Sequence, residues 1–192
     1  MAFNRSKVNV AGNAVPEVPP LTKEDAFKLL AQNAARNACY NSEQRYPPPN
    51  CHLGTRTEVL VKLSKWIEGH SHNTRIYWVY GPAGVGKSAI AQALAEKYAS
   101  NRLAGCFFFS RNDTSRDKLD PFVATVAYQL LKSDTLRERQ GSFIIQAIRS
   151  DPNIFHTSVE NPFQKLILEP CSKLIREMQH SLQSGSWLDF AG

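Results

Sequence analysis

The sequence predicts an α/β fold in which two strands of a parallel sheet are recognisable and the remainder is mostly helical. Three observations predict it. Ile76, Tyr77, Trp78, Val79 and Tyr80 form one short apolar run, and Gly105, Cys106, Phe107, Phe108 and Phe109 form another. β-Branched and aromatic residues suit strands, and continuous apolarity suits a parallel sheet covered on both faces. Between the runs, residues 87–99 are rich in good helix formers, with Ile90, Ala93, Leu94 and Tyr98 on one side. A glycine-rich turn joins the first run to this helix, so strand, loop, helix and strand follow in the order that feeds a parallel sheet.

The other elements read in chain order. Residues 1–20 hold few large apolar side chains and close on Pro16, Pro19 and Pro20, which predicts a flexible tail. Residues 21–50 read as a helical segment and a Pro-rich linker. Thr22 can cap the helix, Ala26, Leu29, Leu30 and Ala34 form its apolar stripe, and Pro47, Pro48 and Pro49 end the segment. A second helix is expected from Thr55, with Thr55 and Glu58 in a capping box and Val59, Leu60, Leu63, Trp66 and Ile67 on one face before Gly69.

Beyond Ser110 only helical periods appear. Asp120 caps a helix with Pro121 at its first position and Phe122, Val123, Val126, Ala127, Leu130 and Leu131 in a stripe. Leu136, Phe143, Ile144, Ala147 and Ile148 mark another, weakened by Gly141 and closed by Asp151 and Pro152. A third opens at Asn161 with Pro162 and a capping-box Gln164, carries Phe163, Leu166 and Ile167 inward, and should kink or stop at Pro170. Residues 175–192, with Gly185, Trp187 and Phe190, are a divergent tail without clear period in its last part.

Composition narrows the function classes. The 192 residues are 42% hydrophobic and 21% charged, an ordinary globular mix that excludes global disorder. A net charge of +6 is spread without a basic run of five, so specific nucleic-acid binding is not expected. No secretory leader and no run of eighteen apolar residues appear, so a cytoplasmic protein without a membrane partner is expected. Cys39, Cys51, Cys106 and Cys171 make no C-x-x-C pair and read as free thiols in a reducing compartment. His52, His70, His72, His156 and His180 are dispersed, and the three tryptophans and ten phenylalanines read as core.

One motif carries chemistry. Gly81, Pro82, Ala83, Gly84, Val85, Gly86, Lys87 and Ser88 match G-x-x-x-x-G-K-[ST], the phosphate-binding loop. Glycines let successive amides turn inward around an anion, the following helix directs its positive end at the phosphates, and lysine adds a mobile charge. Ser88 would ligand Mg2+.

From Cys51 to about Leu174 the chain resembles the N-terminal part of a NACHT-type P-loop NTPase domain, of the kind found in large fungal signalling proteins of the STAND class. The resemblance rests on 51–56 with the helix ending in Lys65, Trp66 and Ile67, on the phosphate loop, on 106–111, on 126–130 and on 161–170. It implies a switch that binds ATP or GTP with Mg2+ and acts on other signalling domains or on protomers of the same class. Lys87 would contact the β- and γ-phosphates and the backbone of 82–86 would cradle them. Thr55 and Arg56 become candidates for the purine pocket, with helix capping the alternative for Thr55. Arg111, at the end of the second strand, is a candidate phosphate contact or simply an exposed arginine.

The sequence departs from that family where a third strand should carry an acidic residue for magnesium and the attacking water. Leu166, Ile167, Leu168 and Glu169 lie in a helix, and Trp187, Leu188, Asp189 and Phe190 are too few. The expectation is therefore an incomplete P-loop NTPase fold over 51–174 with little or no hydrolysis. Two strands without neighbours would expose unpaired amides and aromatic surface. A small P-loop phosphotransferase is a second reading, though it should show about five strands and an arginine-rich lid. A helical interaction protein with a vestigial loop is a third.

Overall fold

A computed structural model describes residues 20–52, 54–69 and 74–183 of the chain. Residues 1–19 of the expected 1–20 tail, His70, His72, and the segment with Trp187 and Phe190 lie outside the described residues, as does the side chain of Leu136. Among the described residues every regular element is helical. Helix α1 spans Lys23–Asn33, α2 Thr57–Ile67, α3 Lys87–Tyr98, α4 Asp120–Lys132 and α5 Asp134–Ser150. Helix α6 (Glu160–Phe163) passes through a π-helical turn (Gln164–Leu168) into α7 (Glu169–Gln183). No helix among the described residues is long and apolar enough to cross a membrane.

The core is built around α4. Val123, Ala124, Thr125, Ala127, Tyr128, Leu130 and Leu131 are all buried, so this helix is enclosed on nearly every side. Ala26 and Leu30 of α1 pack on it, as do Ile144 and Ile148 of α5, Ile154 and Leu166. Thr22 caps α1 as expected, its hydroxyl accepting from the Asp25 amide at 3.1 Å. Pro170 is fully buried and does not stop the last helix. Proline has no amide to return to the preceding turn, and the widened turn ahead of it lets the chain continue.

The α/β expectation is overturned: neither 76–80 nor 105–109 is a strand, and no sheet exists among the described residues. A strand is defined by a neighbouring strand whose ladder takes up its amides, and among the described residues neither segment has one. Over 76–80, Ile76, Trp78 and Tyr80 are 80%, 78% and 83% exposed, while Tyr77 rests edge-on against Trp66 with ring centroids 5.6 Å apart. Over 105–109 the amides find other partners. The Gln129 side chain accepts from the Cys106 amide at 3.0 Å and donates to its carbonyl at 2.8 Å, and the Phe108 amide donates to the Ala38 carbonyl at 2.9 Å. A helix side chain thus stands where a neighbouring strand would be.

Three helix starts are also corrected: Asp120 is the first residue of α4 rather than its cap, with Leu119 before it and no side-chain cap. Helix α2 begins at Thr57, after Arg56 in the left-handed region (φ 62°), and Thr55 forms no capping box. The Thr55 hydroxyl instead donates to the His52 carbonyl at 2.7 Å, closing the preceding turn. The expected Asn161 start moves to Glu160, and the Asn161 side chain donates to the Thr157 hydroxyl at 3.1 Å while no side chain caps the turn.

Helices α2 and α3 lie side by side and point the same way. At their C-terminal ends the Lys97 ammonium donates to the Ser64 hydroxyl at 2.8 Å and the Tyr98 hydroxyl to the Glu68 carboxylate at 2.7 Å. At their N-terminal ends Arg56 meets Gly86. This pairing brings the start of α2 to the glycine loop.

Candidate functional site

The loop over 81–86 leads directly into α3. Gly84 (φ 81°) and Gly86 (φ 83°) both adopt the left-handed backbone, where a side chain is strained by about 1 kcal/mol or more. Gly86 is the residue before the first turn of α3 and has no side chain to cap it, so the free amides of that turn are left open to an acceptor. A methyl group on Gly81 would lie 3.3 Å from Cγ2 of Val85, so the loop curls tightly at its entrance.

Lys87 closes over this turn. Its ammonium donates to the Gly81 carbonyl at 2.8 Å and to the Pro82 carbonyl at 2.7 Å. The charge is thereby held above the loop at an exposed position rather than paired with a carboxylate. Arg56 adds a second cation: its Nε and Nη2 lie 3.8 Å from where a Cβ on Gly86 would stand. Loop, lysine and guanidinium together suit a polyphosphate, since the exposed backbone donors and both cations favour negative charge.

The remaining expected residues divide. Ser88 is exposed on the first turn of α3 and lines a groove of about 630 Å³. Lys87, Val79, Leu94, Cys106 and Phe109 line it too, so one groove connects the loop to the 105–109 segment. For magnesium, Ser88 is the hydroxyl the motif offers, and among the described residues no group of three or more His, Cys, Asp or Glu could hold a metal ion. Thr55 is turned to His52, and Arg111 is exposed in the turn after 105–109 and does not line the groove.

Several residues important to this region escape a reading of the sequence. Arg45, in the expected linker, places its guanidinium 3.6 Å over the Phe108 ring and donates to Gln92 Oε1 at 2.9 Å and to the Cys39 carbonyl at 3.3 Å. Gln92 of α3 is buried and donates to the Tyr40 carbonyl and to Glu96. The 38–46 stretch is therefore a joint between α3 and 105–109. No local signal marks the two glutamines: the helix-face neighbours of Gln129 are Thr125, Val126, Lys132 and Ser133, and those of Gln92 include Ser88 and Glu96, so their burial depends on distant segments.

The structure also brings two distant cysteines together. The Tyr40 amide donates to Sγ of Cys106 at 3.2 Å and the Phe108 amide to the Ala38 carbonyl at 2.9 Å, so the backbone on both sides of Cys39 lies against 106–108. The neighbouring Cys39 thiol, the Tyr40 amide and the Arg45 charge favour the Cys106 thiolate and pull its pKa down to about 7. Cys39 moves the opposite way, through the neighbouring Cys106 and its own half-buried position.

These features define a helical chain that carries a phosphate-loop sequence at the head of one helix. A family model described as Nephrocystin 3, N-terminal, matches residues 54–182, from just before α2 into α7, and the chain belongs to that family. No curated protein and no solved structure matches it. The family shown is that of the nephrocystin 3 N-terminal region, where the sequence resembled a NACHT-type domain.

Proposed function

We propose that this member of the nephrocystin 3 N-terminal family is a nucleotide-binding module that takes the phosphates of ATP or GTP, with Mg2+, at residues 81–88. One observation carries the reading. The exact phosphate-loop octapeptide leads into α3 with Gly84 and Gly86 in left-handed conformations and Lys87 held over the loop by its own carbonyls. Lys87 would release Gly81 and Pro82 to meet the phosphates, the amides of 83–86 would line them, and Arg56 would approach from the start of α2. Ser88 would contribute a hydroxyl to Mg2+. The NACHT-type resemblance supports a signalling role in the cytoplasm, with other signalling domains or protomers as partners and with little hydrolysis.

Titration of a fluorescent ATP or GTP analogue with Mg2+ tests this. Saturable binding is expected, and Lys87→Ala should weaken it at least tenfold, since a charge-assisted phosphate contact is worth about 1.5–3 kcal/mol. Equal affinity of the parent and Lys87→Ala would sink the reading. A second reading, a helical interaction protein with a vestigial loop, draws on the exposed Ile76, Trp78 and Tyr80 row, and absence of nucleotide binding by the folded parent would favour it.

A further inference from the structure

We propose that Cys39 and Cys106 form an oxidisable thiol pair: a hydroperoxide converts Cys106 to a sulfenic acid, and Cys39 closes a disulfide between the Arg36–Ala38 turn and the 105–109 segment.

The geometry separates the roles of the two sulfurs. Cys106 Sγ accepts from the Tyr40 amide at 3.2 Å, which favours the thiolate that attacks, and the Ala38 carbonyl accepts from the Phe108 amide at 2.9 Å, so the backbone on both sides of Cys39 is held against the 106–108 stretch. Cys106 also lines the groove of about 630 Å³, which gives a small oxidant a route to it. Cys39, between Ala38 and Tyr40, is the neighbouring thiol and keeps its proton. Charges around the pair are mostly positive: Arg45 acts on both sulfurs and Lys132 on Cys39, while Glu96 acts on Arg45 and Arg116 repels it. The one opposing contact is Gln129 Oε1, 3.4 Å from Cys106 Sγ, and that oxygen is already engaged by the Cys106 amide.

The chemistry balances with the hydroperoxide as oxidant. The Cys106 thiolate attacks one peroxide oxygen, an S–O bond forms and the O–O bond breaks, and the leaving oxygen departs as hydroxide or alkoxide and takes up a proton. Cys39 sulfur then attacks Cys106 sulfur, an S–S bond forms, and the sulfenic oxygen leaves as water with the Cys39 proton. Two thiols are oxidised and one peroxide is reduced. The bridge would tie off the stretch holding α2, the glycine loop and α3, whose only other covalent path is the chain itself.

Brief exposure of the reduced full chain to equimolar hydrogen peroxide, alkylation and peptide mass spectrometry test the proposal. A Cys39–Cys106 linked peptide is expected, lighter than the two thiol peptides by two hydrogens, with Cys51 and Cys171 recovered alkylated. Cys39→Ser should instead accumulate a dimedone-reactive Cys106. Oxidation of Cys106 no faster than of Cys51 and Cys171 would overturn the proposal. So would equal yield of the linked peptide from chain unfolded in urea, because the folded arrangement would then contribute nothing. The parent chain alone decides both points, so they stand even where a variant fails to fold.

Discussion

Replacing Gln129 by Met removes the one side chain that serves both backbone groups of Cys106 while keeping nearly the same length and volume. In the parent, the Gln129 carbonyl oxygen accepts from the Cys106 amide at 3.0 Å, and its amide donates to the Cys106 carbonyl at 2.8 Å and the Thr125 carbonyl at 3.2 Å. A hydrogen bond contributes about 1 kcal/mol net, and a buried group left without one costs about 1–3 kcal/mol. Cys106 is only half-buried, so water can reach part of what is exposed and the lower end applies. The two bonds to Cys106 give about 2 kcal/mol at about 1 kcal/mol each, and the Thr125 carbonyl, within a turn of α4, adds little. For a chain of this size that lowers the melting temperature by about 4–8 °C. Urea unfolding followed by far-ultraviolet circular dichroism measures it, with an unchanged slope expected because the surface exposed on unfolding barely changes. Gln129→Ala should lose somewhat more, through packing against Gly105. A Gln129→Met chain within about 0.5 kcal/mol of the parent, inside the range of an ordinary surface change, would refute the idea that a helix side chain substitutes for a strand partner.

Three further outcomes follow from single contacts. Thr125→Val should destabilise by about 1–3 kcal/mol, measured by urea unfolding, because the buried hydroxyl accepts from the Ala35 amide at 2.9 Å and nothing else would. Gly141→Ala places a methyl 2.9 Å from Cδ2 of the buried Leu131; the helix-propensity gain of about 1 kcal/mol is then outweighed by overpacking of about 1–3 kcal/mol, and a net gain in thermal stability would contradict so close an approach of α4 and α5. Asp113 has its carboxyl held below the usual range by hydrogen bonds from Ser115 and Arg116. Its contribution is therefore present above the unfolded value near 4 and lost as pH falls through the lower folded value, so the stability of Asp113→Asn should depend less on pH in the acid range below about 5 than that of the parent.

Helix-forming stretches are legible because their signal is local. The Thr22 cap precedes a stripe of Ala26 and Leu30 that the structure buries, and α4 and α5 follow the periods of Val123, Ala127, Leu130, Ile144 and Ile148. Starts were displaced where a polar side chain had a second choice, as with Thr55 turning back to His52. In the candidate site, the octapeptide is readable residue by residue, and so is the need for glycine at 84 and 86. The approach of Arg56 to Gly86 was a candidate only through family resemblance, since it requires α2 to lie along α3. Arg45, Gln92 and Gln129 gave no motif because each acts on backbone or rings far along the chain.

What the amino-acid order determined alone is the set of features closed within a few residues: helical periods, the Thr22 cap and the glycine turn entering α3. An i to i−4 hydrogen bond, or a glycine's freedom at positive φ, needs no distant partner. Only the tertiary structure decided the fate of 76–80 and 105–109, whose strand-like composition has meaning only if another segment takes their amides. In this fold Gln129 and Ala38 take those of 105–109, and Ile76, Trp78 and Tyr80 remain turned to solvent. The same dependence on distant neighbours brought Cys39 to Cys106, a meeting set by how the 36–46 stretch packs against α3 and α4 rather than by any spacing of cysteines.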